Sequence, residues 1–278
     1  EPGIEPVSLS AISADGRVLA LMTARNEITV RDLAADEVTA VLTMPAMPES
    51  LSVAGDGRVF AAFAPDHGVA IHACSDGARV AHLDLQVAAM AFSEDGRHFA
   101  VAHGGPRGNC ITVWDTADWR QPVRELPTGD GNVHDIAFDV HCRQLACSNY
   151  DGRLCVFALA SGERTLEVRH ADSLRGVAFS PDGARLAVGC RDYAVYVHDV
   201  ATGAARALRG HEGIPSAVAW SRDGKRLVSA GDDESLRVWD LTVAPVRRER
   251  QWSVPHAIEY AQLAWSQDGG AVAVRASR

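Results

Sequence analysis

Three sets of residues carry side chains that chemistry uses. His211, Ser229 and Asp233 have the composition of a nucleophilic triad, in which an imidazole takes the proton of an attacking hydroxyl and a carboxylate orients the ring. His141, Cys142 and Cys147 offer an imidazole and two thiols, the donor types that zinc prefers. Gly104-Gly105-Pro106-Arg107-Gly108 has the glycines of a loop that cradles phosphate. Two of the three fail on spacing. The His/Cys set fits no zinc pattern, because its first two members share a turn and Cys147 lies in the following strand, where cysteine serves as a small core residue. The glycine run is followed by no Lys-Ser/Thr pair and precedes no expected helix, so it reads as an elongated turn.

The elements that hold these residues follow from bulk properties and a repeat. The chain has 278 residues, 47% hydrophobic and 23% charged, a balance that supports a buried core and excludes extended disorder. The uncharged stretches, such as 38–48, are too short for a membrane-spanning helix, and no basic segment followed by an apolar run opens the chain. A net charge of −9 disfavours sequence-independent binding to nucleic acid, which needs clustered cations. Six cysteines without paired spacing fit a reducing compartment, and a cytoplasmic location is expected. The start at Glu1 suggests an excised or processed piece.

The phrase apolar–Ser–x–Asp-Gly–x–x–apolar recurs. Its Asp-Gly pairs begin at Asp15, Asp56, Asp95, Asp182, Asp223 and Asp268, at intervals of 41, 39, 87, 41 and 45 residues. The interval of 87 is a double step with a degenerate copy at His141-Cys142, which makes seven starts. A second position follows the turn at a constant offset of 16, from Asp15 to Arg31, Asp56 to His72, His141 to Phe157, Asp182 to His198 and Asp223 to Trp239. In the third copy the offset is 19, from Asp95 to Trp114. Apolar runs of a few residues, cut by Gly, Asp and Pro turns, predict four antiparallel strands per unit rather than helices.

These units resemble the WD-repeat family. The resemblance rests on Trp114-Asp115 and Trp239-Asp240, on the strand endings at Asp32, Asp199 and Asp240, and on Gly210-His211 opening the best copy. It implies an all-β, WD40-like β-propeller, seven-bladed with an incomplete last blade: six four-stranded units plus two strands. The expected organisation is one domain over 1–278, with blades at 7–43, 49–85, 87–127, 133–168, 174–208, 215–253 and 259–278. The two strands of the last blade suggest a segment of a longer polypeptide, plausibly of bacterial or divergent type, whose flanks complete the ring. The resemblance also implies that His211, Ser229, Asp233 and Trp239 form a buried structural tetrad. A hydroxyl inside a blade has neither solvent access nor an oxyanion hole, so the triad reading yields to the structural one. Other units are degenerate. The fifth has His170 and Asp192 with Val188 and His198, the second Asp66 with His72, and the fourth Asp151, Cys147 and Phe157.

In this family partners dock on the face where the second-to-third-strand turns and the entries to the first strands gather. Entry positions here are Ser8, Glu49, Ala88, His134, Arg175, Ser216 and Ala261. Turn candidates are Arg25, His67, Tyr150, Arg191, Tyr193 and Asp232, with Arg107 and Asn109 in the insertion of the third unit. Tyrosines and arginines among them suit protein recognition. The expectation is a non-catalytic scaffold binding a protein or peptide on that top face, the sensor module of a larger signalling protein, with other domains of the same polypeptide among its partners. No cofactor, metal, nucleic acid or membrane partner is implied. The alternative is a metal-dependent, lactonase- or hydrolase-like propeller enzyme with its site at the channel mouth, where Glu49 and His134 are the only ligand-type residues.

Overall fold

The Ser of the repeated phrase ties its turn together. In the first copy the Ser13 hydroxyl donates to Asp15 Oδ1 at 2.5 Å and accepts the Val18 N–H at 2.9 Å, while Asp15 Oδ1 accepts the Arg17 N–H at 3.0 Å. Gly16 closes the loop at φ 72°, a conformation that only glycine adopts cheaply. The same bonds recur at Ser93/Asp95, Ser180/Asp182 and Ser221/Asp223. All four serines are buried, and their hydroxyls hold the Asp15, Asp182 and Asp223 carboxyls below the usual carboxylate range. In the degenerate fourth copy a single residue, Asp139, takes over: its Oδ1 accepts the N–H groups of Arg143 and Gln144. Cys142 there occupies the glycine position at φ 53°.

The structure, a computed structural model, describes residues 7–23, 25–105, 108–243, 247–253, 260–265 and 271–277. It is all-β. Six four-stranded antiparallel sheets follow one another in sequence, and a two-stranded pair ends the series. The sheets are β1–β4 (Val7–Ile12, Val18–Thr23, Glu27–Asp32, Glu37–Thr43) and β5–β8 (Ser50–Val53, Val59–Ala64, Gly68–Ala73, Arg79–Leu83). Then come β9–β12 (Val87–Phe92, His98–Gly105, Gly108–Asp115, Arg124–Gly129) and β13–β16 (Val133–Phe138, Gln144–Asn149, Arg153–Ala158, Arg164–Arg169). The last full sheets are β17–β20 (Leu174–Phe179, Arg185–Cys190, Val195–Asp199, Ala205–Leu208) and β21–β24 (Pro215–Trp220, Arg226–Gly231, Ser235–Asp240, Arg247–Ser253). The pair is β25 (Tyr260–Trp265) with β26 (Val272–Ser277). This succession of four-stranded meanders is the fold class of a WD40-like β-propeller.

The constant offset of 16 is a pairing register. Arg31, His72, Phe157, His198 and Trp239 pair across the middle hairpin with Leu19, Phe60, Leu145, Leu186 and Leu227. The offset of 19 is the same register on a longer hairpin. Gly104 and Gly105 pair with Asn109 and Gly108, so the insertion lengthens the β10–β11 ladder instead of forming an irregular loop. Asp residues ending the third strands hold the next turn. Asp32, Asp115, Asp199 and Asp240 each accept a backbone N–H two or three residues on. The basic run at 247–250 forms the start of outer strand β24.

The chain groups into two compact units, Glu1–Pro127 and Thr128–Arg278. In the first, one apolar cluster joins Met22, Ile28 and Val30 to Leu51 and Phe60 of the next sheet, and another joins Phe63 and Ile71 to Phe99 and Trp114. In the second, Leu154 and Val156 pack with Leu174 and Leu186, and Val195 and Leu208 with Trp220 and Trp239. Each cluster lies between successive sheets, so the faces of neighbouring sheets supply the core. Among the described residues no helix is long and apolar enough to cross a membrane.

Candidate functional site

Strand β23, SLRVWD, threads polar residues through an apolar interior. The His211 Nδ1–H faces both oxygens of Asp233 at 3.0 Å, its Nε2 accepts the Ser229 hydroxyl at 2.7 Å, and Trp239 Nε1–H donates to Ser229 Oγ at 2.9 Å. Burial alone would push the Asp233 pKa up. The Glu212 N–H, the Ser235 hydroxyl and His211 outweigh it and bring the pKa to about 2. Two further members escaped sequence reasoning. Arg237, 3% exposed, donates to Asp233 Oδ2 at 3.2 Å and to Ser235 Oγ at 3.1 Å. An arginine between Leu236 and Val238 on a middle strand was the available signal, since a buried cation must find an acid. The Asp–His–Ser chain has the order of a hydrolytic triad, but Ser229 is 0% exposed and its oxygen is occupied by the indole. The hydroxyl is bonded on both sides within a closed, buried network.

The fifth sheet fills the same positions differently. His170 Nε2 lies 3.0 Å from His198 Nε2, and His198 Nδ1 lies 3.1 Å from the Gly203 carbonyl. A carbonyl only accepts, so the His198 proton sits on Nδ1 and His170 donates to His198. Asp192 turns to the Tyr196 hydroxyl at 2.7 Å. In the second sheet His72 stacks on Phe60 and bonds the Gly77 carbonyl, while Asp66 lies exposed in a turn at φ 63°. In the fourth, Cys147 faces Cys155 across the β14–β15 ladder, and Asp151 pairs with Arg153.

The surface candidates sort by backbone geometry. Five first strands carry a register shift near their start, and the skipped residues include Ser8, Ala88, His134, Arg175 and Ser216, the entry positions named above. A bulge leaves its residue unpaired and re-aims the side chain. Between the fourth and fifth sheets two bonds pin the bulges: Ser148 Oγ donates to the Arg175 carbonyl at 2.5 Å, and Val177 N–H donates to Asp135 Oδ2 at 3.0 Å. Burial of the Asp135 carboxyl pushes its pKa up to about 6 against these N–H bonds. The Tyr150 N–H bonds the Asn132 carbonyl, and Arg191 and Asp232 repeat that bond to Ser173 and Ile214.

As a result three predicted residues converge. The His134 ring meets Tyr150 edge-on at 5.1 Å, and the Arg175 guanidinium lies 4.9 Å from the Tyr150 ring centroid. Burial, with the Arg175 charge beside it, pulls the His134 pKa down to about 4, so the ring is neutral near pH 7. Tyr150 is 46% exposed. Arg191 and Tyr193 stand one sheet on, where Leu174 pairs with Cys190. The other candidates do not join this cluster. Arg25, Glu49 and His67 are exposed residues of the first unit, Asn109 is half-buried on its hairpin, and Asp232 sits on the β22–β23 turn. Arg107 lies outside the described residues. Among the described residues no three His, Cys, Asp or Glu side chains are grouped to hold a metal ion, and at His134 the neighbouring guanidinium opposes a cation.

Comparison with known proteins agrees with this architecture. The chain carries WD40 repeats: the family described as "WD domain, G-beta repeat" matches residues 163–199 and 204–240, which lie in the fifth and sixth sheets and the strand before them. An uncharacterized WD repeat-containing protein of Synechocystis sp. is 37% identical over 38% of this chain and 31% of its own length. WD repeat-containing protein VIP3 of Arabidopsis thaliana is 28% identical over 63% of this chain and 60% of its own length. A 66 kDa stress protein of Physarum polycephalum is 30% identical over 58% of this chain and 27% of its own length. The chain thus matches less than two thirds of each relative. WD-repeat proteins generally act as protein-interaction scaffolds and are typically non-catalytic.

Proposed function

We propose that this chain is a non-catalytic platform that binds a protein or peptide partner at the end of the fourth and fifth sheets where His134, Tyr150 and Arg175 meet. The observation that carries the reading is their convergence from two sheets onto one exposed aromatic ring. The bulges and the two inter-sheet bonds hold the site in place before any partner arrives, which lowers the entropy lost on binding. Tyrosine and arginine are the side chains on which interface energy concentrates. The site's place at the strand entries fits the top-face docking expected of the family. The same platform would serve as the sensor or regulatory part of a larger cytoplasmic signalling protein.

A photo-crosslinking residue placed at Tyr150 tests this directly in extracts of the source cells. The expected result is one dominant adduct that disappears on Arg175→Ala and is absent when the probe sits at Thr165 on outer strand β16. Equal labelling from both positions would sink the assignment.

A further inference from the structure

We infer that the His134–Tyr150–Arg175 site takes an acidic segment of its partner, a peptide with Asp or Glu side chains whose carboxylate seats on Arg175 beside His134. This rests on the platform reading above and adds the chemistry of the occupant.

Three observations carry it. Among the described residues Arg175 has no acidic partner within ion-pair distance, although the chain is acidic overall at −9. Three carboxylates of the same two sheets are already engaged. Asp151 pairs with Arg153 at 2.7 Å, Asp192 holds the Tyr196 hydroxyl with Arg209 at 3.8 Å, and both oxygens of Asp135 accept backbone N–H groups. Its guanidinium lies over the exposed Tyr150 ring, 4.9 Å from the centroid, and a guanidinium so placed is the group that binds a carboxylate in bidentate fashion.

The second observation is His134 Nδ1, a buried atom with no hydrogen-bond partner among the described residues. A buried polar atom left unpaired is costly, so an occupant that displaces its cover and bonds it recovers what the free protein forgoes. A neutral imidazole can present a proton at Nδ1 to a carboxylate oxygen or accept an N–H from the partner's backbone. Third, Arg191 and Tyr193 add a second exposed cation and a second exposed ring, 48% exposed in the case of Tyr193, at the entry end of the next sheet. Among the described residues Arg191 has no ion-pair partner. An extended acidic segment running from the fourth sheet to the fifth meets Arg175 first and Arg191 next.

The test uses the full chain and three pools of fluorescein-labelled nonapeptides. The pools share random Gly, Ser and Leu flanks and differ only in a central triplet of Glu, Gln or Lys. Fluorescence anisotropy is expected to give the Glu pool roughly tenfold or more tighter binding than the Gln pool, since a charge-assisted bond contributes about 1.5–3 kcal/mol. The preference should shrink as salt rises from 20 to 300 mM. Arg175→Ala should abolish it, and Arg175→Lys should keep part of it. Arg164→Ala, which removes a cation from outer strand β16 of the same unit, should leave it intact.

Equal affinity for the three pools, or a Glu preference that survives Arg175→Ala, would overturn the inference. If the Gln or Lys pool binds best and Tyr150→Ala removes that binding, the platform stands and its acidic occupant falls. If no pool binds and the Tyr150 photoprobe captures nothing, both fall together. Circular dichroism and thermal melting of each variant separate lost binding from lost folding.

Discussion

The fifth and sixth sheets share a backbone plan and fill it with different chemistry. In the sixth, a carboxylate at the centre gathers an imidazole, a hydroxyl, a guanidinium and a backbone N–H, and the indole of Trp239 caps the serine. In the fifth, Val188 replaces the serine and His198 the tryptophan, so two imidazoles satisfy each other and Asp192 is released to Tyr196. The turns outside are the same: Ser180 and Ser221 make identical bonds to Asp182 and Asp223. The frame is therefore set by turns, ladder register and inter-sheet packing. The polar interior is an added layer that can be exchanged while its imidazoles, carboxylates and hydroxyls still find partners, although Arg237 Nη1 finds none among the described residues. The exchange has a cost, because carboxylate–imidazole and imidazole–imidazole contacts respond to acid in different pH ranges.

The most severe way to break this comparison is Trp239→Ala. It removes a 3% exposed ring from the cluster of Val218, Trp220 and Leu227, and it strips the donor from Ser229. A loss of about 3–5 kcal/mol is expected from the cavity, with a further contribution from the orphaned hydroxyl. His198→Ala, at the equivalent place in the fifth sheet, removes a smaller ring and one imidazole contact and should cost visibly less. Urea unfolding of both variants gives the ranking, and a Trp239→Ala loss below about 1 kcal/mol would place the sixth-sheet network outside the stabilising core.

The frame was legible in the sequence because turn chemistry and hairpin register leave marks of fixed spacing: Ser–x–Asp–Gly for the turn, and sixteen residues to the paired position. The site was legible only as scattered positions. His134, Tyr150 and Arg175 could be named one by one, but their meeting depends on bulges at Val133/Asp135 and Leu174/Val177, which bring a side chain of the same sheet and one of the next sheet to the Tyr150 ring. A bulge has no residue signature of its own here, since the skipped residues range from Ser8 and Ala88 to Arg175. Arg237 went unread for a related reason: its partner Asp233 was already assigned to His211, and a carboxylate has room for both. The insertion at 105–109 resembled a binding loop because glycines mark loops and extended hairpins alike.

A second break uses pH. Burial and the neighbouring His198 pull the His170 pKa down to about 4, and burial lowers that of His198 as well. Between the ordinary histidine value, about 6.5, and about 4, the unfolded chain binds more protons than the folded one, so this pair's contribution to stability falls as pH falls. His134 acts with the same sign. Asp135, raised to about 6, acts with the opposite one, since its protonated form is favoured in the folded state and stability falls as pH rises from about 4 to 6. Asp233, held at about 2, loses its contribution only below the usual carboxylate range. His170→Gln isolates the pair. Its deficit against wild type should be clear at pH 7 and shrink by pH 4.5, measured by urea titration at both. An unchanged deficit would remove the two imidazoles as the acid-sensitive element.

The smallest effect expected is a gain. The turns of the first, second, third, fifth and sixth sheets place glycine at positive φ, whereas the fourth places Cys142 there at 53°. A residue with a Cβ pays about 1–2 kcal/mol for that conformation, and glycine pays part of the saving back through its freer unfolded chain. Cys142→Gly should therefore stabilise the protein by about 0.5–1 kcal/mol. The mirror change is Gly183→Cys in the fifth sheet, where φ is 69° and an added Cβ meets only Asp139 and Gln144 at ordinary contact distance. With no clash to confuse the reading, it should destabilise by a similar amount. Equal and opposite shifts would show that the fourth turn departs from its neighbours in backbone strain alone. A loss on Cys142→Gly would mean instead that the thiol side chain packs usefully against its own turn, and that Asp139 and Cys142 have been matched to each other as a replacement for Ser, Asp and Gly.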